Sequence, residues 1–145
     1  MQLLNWLSVF LFALVASATE TTTNEPPTEL QIDVNYVPTS CPFRAQQGDK
    51  IKVHYTGKLF SNGKKFDSSL DRGEPLPLIL GAGQVIRGWD EGLKGMCQGE
   101  KRTLTIPSNM AYGSRGFGNI IPPNSVLVFD VELVDLNTNN PREEL

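Results

Sequence analysis

A chain of 145 residues with 39% hydrophobic and 20% charged side chains has the balance of a globular protein, long enough for one domain plus short appendages. That size allows a buried core without a dense disulfide framework. A net charge of −3 and an isoelectric point near 5.1 argue against nucleic acid as a partner, because phosphate backbones call for a basic face.

Residues 1–18 stand apart. Leu7, Val9, Phe10, Leu11, Phe12, Leu14 and Val15 form an apolar run too short to cross a bilayer. Ala16-Ser17-Ala18 follows, the small-x-small pattern of a signal-peptide cleavage site. The expectation is a secretory signal peptide with a new N-terminus at Thr19; a buried N-terminal helix is the competing reading. Residues 19–29 carry Thr, Glu, Asn and Pro26-Pro27 without a large apolar side chain, the composition of an extended linker.

Structure is expected over residues 30–137. Leu30, Ile32, Val34 and Tyr36 alternate with Gln31, Asp33 and Asn35, the period of a half-buried strand. Ile51, Val53 and Tyr55 alternate with Lys50, Lys52, His54 and Thr56 in a second one. Ser61-Asn62-Gly63-Lys64 reads as a hairpin turn in which Asn-Gly supplies positive φ angles. A short strand around Phe66 precedes a Gly/Pro-rich excursion over residues 71–77, and Leu78-Ile79-Leu80 is a candidate buried strand.

Helical spacing occurs once. Val85, Ile86, Trp89 and Leu93 share one side, with Arg87, Asp90, Glu91 and Lys94 elsewhere, predicting a helix of about three turns. Gly88 and Gly92 each cost it about 1 kcal/mol relative to Ala, so tertiary packing around Trp89 has to hold it. Residues 101–106 alternate again, and Leu127, Phe129, Val131 and Leu133 mark the longest strand. Between them, residues 107–125 lack periodicity yet contain Met110, Tyr112, Phe117, Ile120 and Ile121. Loops of that length in compact domains are mostly functional when they are not disordered. The expected class is α+β, an antiparallel five- to six-stranded sheet curled around one short helix.

Cys41 and Cys97 are the only cysteines. In a translocated protein they pair most simply with each other, closing a loop that stabilises by about 4 kcal/mol on the chain-entropy model; two buried thiols are the alternative. Residues 138–145 end in Arg142-Glu143-Glu144-Leu145, similar to the Lys-Asp-Glu-Leu retrieval signal. Signal peptide and tail together imply the lumen of the endoplasmic reticulum and a retrieval receptor, with secretion as the alternative.

The chemical inventory is narrow. His54, the only histidine, is expected to be a solvated residue on the outer face of its strand, unsupported for nucleophilic catalysis. One His and two bridged Cys make a poor zinc site. Asp90 and Glu91 are adjacent on a helix and diverge. No cofactor, metal or covalent intermediate is expected.

Val53-His54-Tyr55-Thr56-Gly57, Gly63-Lys64-Lys65-Phe66-Asp67-Ser68-Ser69, Val85-Ile86-Arg87-Gly88-Trp89, Ala111-Tyr112-Gly113 with Ile121-Pro122-Pro123, and residues 127–133 together resemble the FKBP-type peptidyl-prolyl cis-trans isomerases. The order of these motifs matches the family over nearly all of residues 30–136, and the cysteine positions are similar to those of its lumenal members. The resemblance implies a pocket with Trp89 as floor and Tyr55, Phe66 and Phe129 as walls, completed by Leu76, Val85, Ile86, Tyr112, Phe117 and Ile121. It assigns catalytic roles to Asp67, Tyr112, Trp89 and Phe66. Leu76 and Leu78 stand where relatives often present aromatic rings, and Phe117 falls in the loop where members differ. Implied partners are proline-containing polypeptides and macrolides such as tacrolimus and rapamycin, bound by a monomer. A proline-loop binding module with incidental turnover, or a structural protein of the same fold, are the alternatives.

Overall fold

The computed structural model describes residues 24–138. The expected signal peptide, the first part of the linker and the retrieval-like end of the tail lie outside them. Residues 24–29 carry neither helix nor strand.

Six strands, β1 (Gln31–Tyr36), β2 (Lys50–Leu59), β3 (Lys65–Ser68), β4 (Leu76–Ile79), β5 (Lys101–Ile106) and β6 (Leu127–Asn137), form one sheet, with a helix α1 (Arg87–Gly92) between β4 and β5. The order is β1-β5-β6-β2-β3, and β4 pairs with β2 as well. Every pairing is antiparallel. The expected α+β architecture is what the chain adopts.

β2 pairs with three other strands, β3, β4 and β6. Ile51, Val53, Tyr55 and Leu59 are buried. They face Leu104, Ile106, Leu127, Phe129, Val131 and Leu133, the buried apolar residues of β5 and β6. Register shifts at residues 34/36, 52/53 and 57/58 interrupt the ladders. An extra residue in one strand bends it and raises the local twist, so the sheet curls toward α1.

The helix is shorter than the expected three turns. It covers six residues, with Ile86 at its N-terminal boundary and Leu93 at its C-terminal one. Its two glycines have a packing reason that periodicity does not reveal. A Cβ on Gly88 would lie 2.4 Å from Ile106 Cγ2, and one on Gly92 would lie 2.8 Å from Leu104 Cδ1. Both leave room for the backbone of α1 to settle directly on β5. At its far end, Arg102 Nη1 donates to the carbonyls of Gly92 (2.9 Å) and Lys94 (2.8 Å). These carbonyls have no partner within the helix, so the guanidinium satisfies them. Arg102 is itself buried and ion-paired with Glu100.

Other local expectations are corrected. β4 begins at Leu76, two residues early, and includes Pro77 opposite Lys52. Proline is tolerated there because β4 pairs on one side only, so no ladder needs its missing N–H. A 3₁₀ turn, Ser69–Arg72, leads into the excursion before it, capped by Ser68 Oγ accepting from Leu70 N–H. In the Ser61–Lys64 turn only Gly63 has positive φ (71°). β1 alternates but is not half-buried: Ile32, Val34 and Tyr36 are 42, 52 and 54% exposed. As an edge strand beyond β5, it extends past the cover that α1 provides. His54 is half-buried rather than solvated, with Nδ1 at 2.9 Å from Ser69 Oγ.

Cys41 and Cys97 form a disulfide, with Cα atoms 5.5 Å apart. Cys97 N–H donates to Glu100 Oε1, so the buried ion pair also braces the bridge. Residues 107–125 are ordered by two 3₁₀ turns, Ser108–Met110 and Gly113–Arg115. A bridge between Phe117 and Ile121 closes the loop's tip. Among the described residues, no helix is long and apolar enough to cross a membrane.

Candidate active site

The concave side of the sheet and the start of α1 enclose a cleft of about 160 Å³. An apolar protein cavity of about 150 Å³ accepts a benzene ring, so this one has room for a five-membered prolyl ring. Trp89 forms the base. Its ring lies edge-on to Tyr55 at 4.9 Å and to Phe129 at 5.2 Å, and Phe66 stands edge-on to Phe129 at 5.6 Å. Edge-to-face contacts align ring edges with the negative faces of their neighbours, which keeps the walls apart and the hollow open. The Trp89 indole N–H is buried and has no hydrogen-bond partner among the described residues.

Each wall follows from its strand. Alternation puts Tyr55 on the inner face of β2, and the β2–β6 register sets Gly57 opposite Phe129. Phe66 and Asp67 are adjacent on β3, which pairs with the far half of β2. Val85 and Ile86 lie just before α1, and Leu76 opens β4. Tyr112 comes from the long loop, where its ring packs on Phe117 at 5.2 Å.

One polar cluster interrupts the apolar lining. The Tyr55 hydroxyl donates to Asp67 Oδ2 at 2.5 Å. Arg72 Nη1 donates to Asp67 Oδ1 at 2.6 Å, and Arg72 Nη2 donates to the Tyr55 hydroxyl oxygen at 2.7 Å. The three groups close a ring of hydrogen bonds. Burial works to raise the Asp67 pKa, but the Tyr55 hydroxyl and the Arg72 guanidinium outweigh it and hold the carboxyl below its ordinary value. Burial raises the Tyr55 phenol, as does its bond to Asp67, with Arg72 opposing both. Burial and the Asp67 charge raise the Tyr112 phenol. At neutral pH the cluster is therefore a fixed carboxylate held by a cation and a neutral phenol.

The structure brings Tyr55, Phe66, Asp67, Leu76, Val85, Ile86, Trp89, Tyr112 and Phe129 together around this cleft. It does not bring in Ile121, which is buried in the core, or Phe117, which is 55% exposed at the loop tip. Leu78 is buried away from the cleft. Two neighbours escaped the sequence reading. Gln84 lines the cleft and fixes its loop by accepting from Ile79 N–H at 2.9 Å. Arg72 falls at the start of the excursion that reads as a Gly/Pro-rich loop, where it ends the 3₁₀ turn; the signal was a cation five residues beyond Asp67. Among the described residues, no cluster of His, Cys, Asp or Glu is placed to hold a metal.

Residues 41–134 match the profile of the FKBP-type peptidyl-prolyl cis-trans isomerases. The chain is 50% identical over 137 residues to FK506-binding protein 2 of Dictyostelium discoideum, an alignment covering 94% of this chain and 100% of that one. It is 51% identical over 128 residues to FK506-binding protein 2B of Rhizopus delemar, covering 87% of this chain and 61% of that longer protein. Among solved structures, the crystal structure of AtFKBP13 superposes with a TM-score of 0.67 at 43% identity, covering 77% of this chain and 96% of that one. The chain belongs to the FKBP-type peptidyl-prolyl cis-trans isomerase family, and it is an enzyme of that class.

Proposed function

We propose that the cleft takes the proline of an X-Pro segment onto Trp89 and accelerates rotation of its amide by binding the twisted form. The observation that carries this reading is the aromatic hollow itself, apolar at its base and polar along one rim. A planar amide is stabilised by resonance, and its rotation barrier is about 18–20 kcal/mol. Twisting removes charge separation, so the twisted amide loses less than the planar one on leaving water. A lining of Trp89, Phe66, Tyr55 and Phe129 therefore binds the transition state better than the ground state, as catalysis requires. Lowering the barrier by about 5 kcal/mol speeds exchange several thousand-fold. No nucleophile and no proton transfer enter.

The Tyr112 hydroxyl and the Ile86 N–H, which makes no backbone hydrogen bond among the described residues, bond the carbonyls flanking the proline. Asp67 fixes Tyr55 and places a negative charge beside the rotating carbonyl carbon. The clients are proline-containing chains folding in the endoplasmic reticulum, a location supported by the signal-like residues 1–18 and the retrieval-like end of the tail. The same hollow suits tacrolimus-like macrolides, a reading supported by the names of the relatives.

Proline-limited refolding tests this directly. Asp67→Ala and Trp89→Leu, each checked for fold by circular dichroism, lower the acceleration about tenfold or more, and tacrolimus abolishes it in the parent. Two folded variants as fast as the parent overturn the assignment of the cleft.

A further inference from the structure

We propose that His54 is a positioning residue for the isomerase reaction. From the outer face of β2 it holds Ser69, and through it the Ser69–Arg72 turn, so that Arg72 stays clamped on the Tyr55–Asp67 pair. This rests on the reading of that cluster as part of the working site.

Alternation along β2 puts Tyr55 on the inner face and His54 and Thr56 on the outer one. Both outer residues grip the start of the turn. Ser69 is fully buried; its Oγ lies 2.9 Å from His54 Nδ1 and accepts the Tyr55 N–H at 2.8 Å. Ser68 Oγ donates to Tyr55 O at 3.1 Å and lies 2.9 Å from Thr56 Oγ1. The turn thus starts stapled to the backbone of Tyr55 and ends, at Arg72, bonded to the side chain of the same residue.

The hydroxyl inventory shows why the imidazole matters. Ser69 has one proton, and with Tyr55 N–H already accepted that proton has two acceptors in reach. His54 Nδ1 is at 2.9 Å and Tyr55 O at 3.4 Å. We take the nearer one as its acceptor, which places the neutral imidazole's proton on Nε2. Without the imidazole, the buried hydroxyl has only a contact at the limit of hydrogen bonding, to a carbonyl that Ser68 already occupies. The serine then keeps only the bond from the Tyr55 N–H as a strong contact, and its hold on the turn weakens.

The test compares His54→Leu, His54→Asn and Arg72→Ala with the parent, measuring kcat/KM for a prolyl peptide and the Asp67 titration midpoint by carbon-13 NMR. Leu removes the acceptor; Asn puts an amide oxygen where Nδ1 stood. If His54→Leu does not fold, His54→Gln replaces it, since its amide lies beyond the Nδ1 position. Loss of one such bond lowers kcat/KM about three- to tenfold. The Asp67 midpoint rises toward its ordinary value as Arg72 loosens, and Arg72→Ala moves it the same way. His54→Asn returns both readings toward the parent, and His54→Leu combined with Arg72→Ala is no slower than Arg72→Ala alone. An unmoved Asp67 midpoint, or losses that add in the double variant, refutes the proposal. Arg72→Ala at full activity removes the site reading beneath it, whereas a slow Arg72→Ala beside a fast His54→Leu refutes the role of His54 alone.

Discussion

Gly88→Ala is the most demanding test of how the site is built. Alanine favours helix over glycine by about 1 kcal/mol, so propensity alone predicts a more stable protein. Packing predicts the reverse. The new methyl would sit 2.4 Å from Ile106 Cγ2 and 2.7 Å from its Cδ1, against an ordinary contact that begins at 3.4 Å. Either Ile106 or the helix yields by about 1 Å, and overpacking on that scale costs about 1–3 kcal/mol. Set against the propensity gain, the net loss is up to about 2 kcal/mol, and for a domain this size it lowers Tm by up to about 8 °C. Because Trp89 is the next residue, lifting α1 also tilts the floor of the cleft, so isomerase activity falls with stability. Urea unfolding of the single variants and the double variant Gly88→Ala with Ile106→Ala decides the matter. Ile106→Ala alone costs about 2–5 kcal/mol for the cavity it opens. In the double variant the new methyl occupies part of that cavity, so the combined loss is smaller than the sum by about 1 kcal/mol or more. Additive losses, or a stabilised Gly88→Ala, show that the helix does not rest on β5 as described.

Two further outcomes follow from covalent and charged contacts. Replacing both Cys41 and Cys97 by Ala removes the constraint on a 56-residue separation and lowers unfolding free energy by about 4 kcal/mol on the chain-entropy model; a loss below about 1 kcal/mol, again by urea unfolding, contradicts it. The Asp67 carboxyl is held below its ordinary value of 3.8. Its contribution to stability is therefore present above that value and is lost as pH falls through the depressed one. With the side chain 42% exposed, screening limits the effect to about 1 kcal/mol or less. Unfolding curves of the parent and Asp67→Asn converge on that account as pH drops below 3.8; a difference that stays constant down to pH about 2 shows the carboxylate is not held as described.

Some of this was legible along the chain. β2, β5 and β6 keep a clean two-residue period, because one face of each lies on the core and the other does not. The period alone therefore located Tyr55 and Phe129 on the inner side. Asp67 was conspicuous as a carboxylate next to Phe66, and Tyr112 as an aromatic beside Gly113 in a loop too long to be mere connection. β4 was misplaced because Pro77 reads as a strand breaker, and only its position at an edge makes it harmless. β1 carries the pattern of a buried face without being covered, since alternation records what a strand offers and not what arrives to meet it.

The sequence by itself determined the kinds of elements, their order and the family pattern, because local periodicity and short motifs are properties of neighbours in the chain. Tertiary structure decided the rest. The clamp of Arg72 on Tyr55, the grip of His54 on Ser69, and the need for bare backbone at Gly88 against Ile106 each join segments distant in sequence. Hydrogen bonds and steric contacts act over a few ångströms of space, and no spacing along the chain encodes which distant atoms will fall within that range.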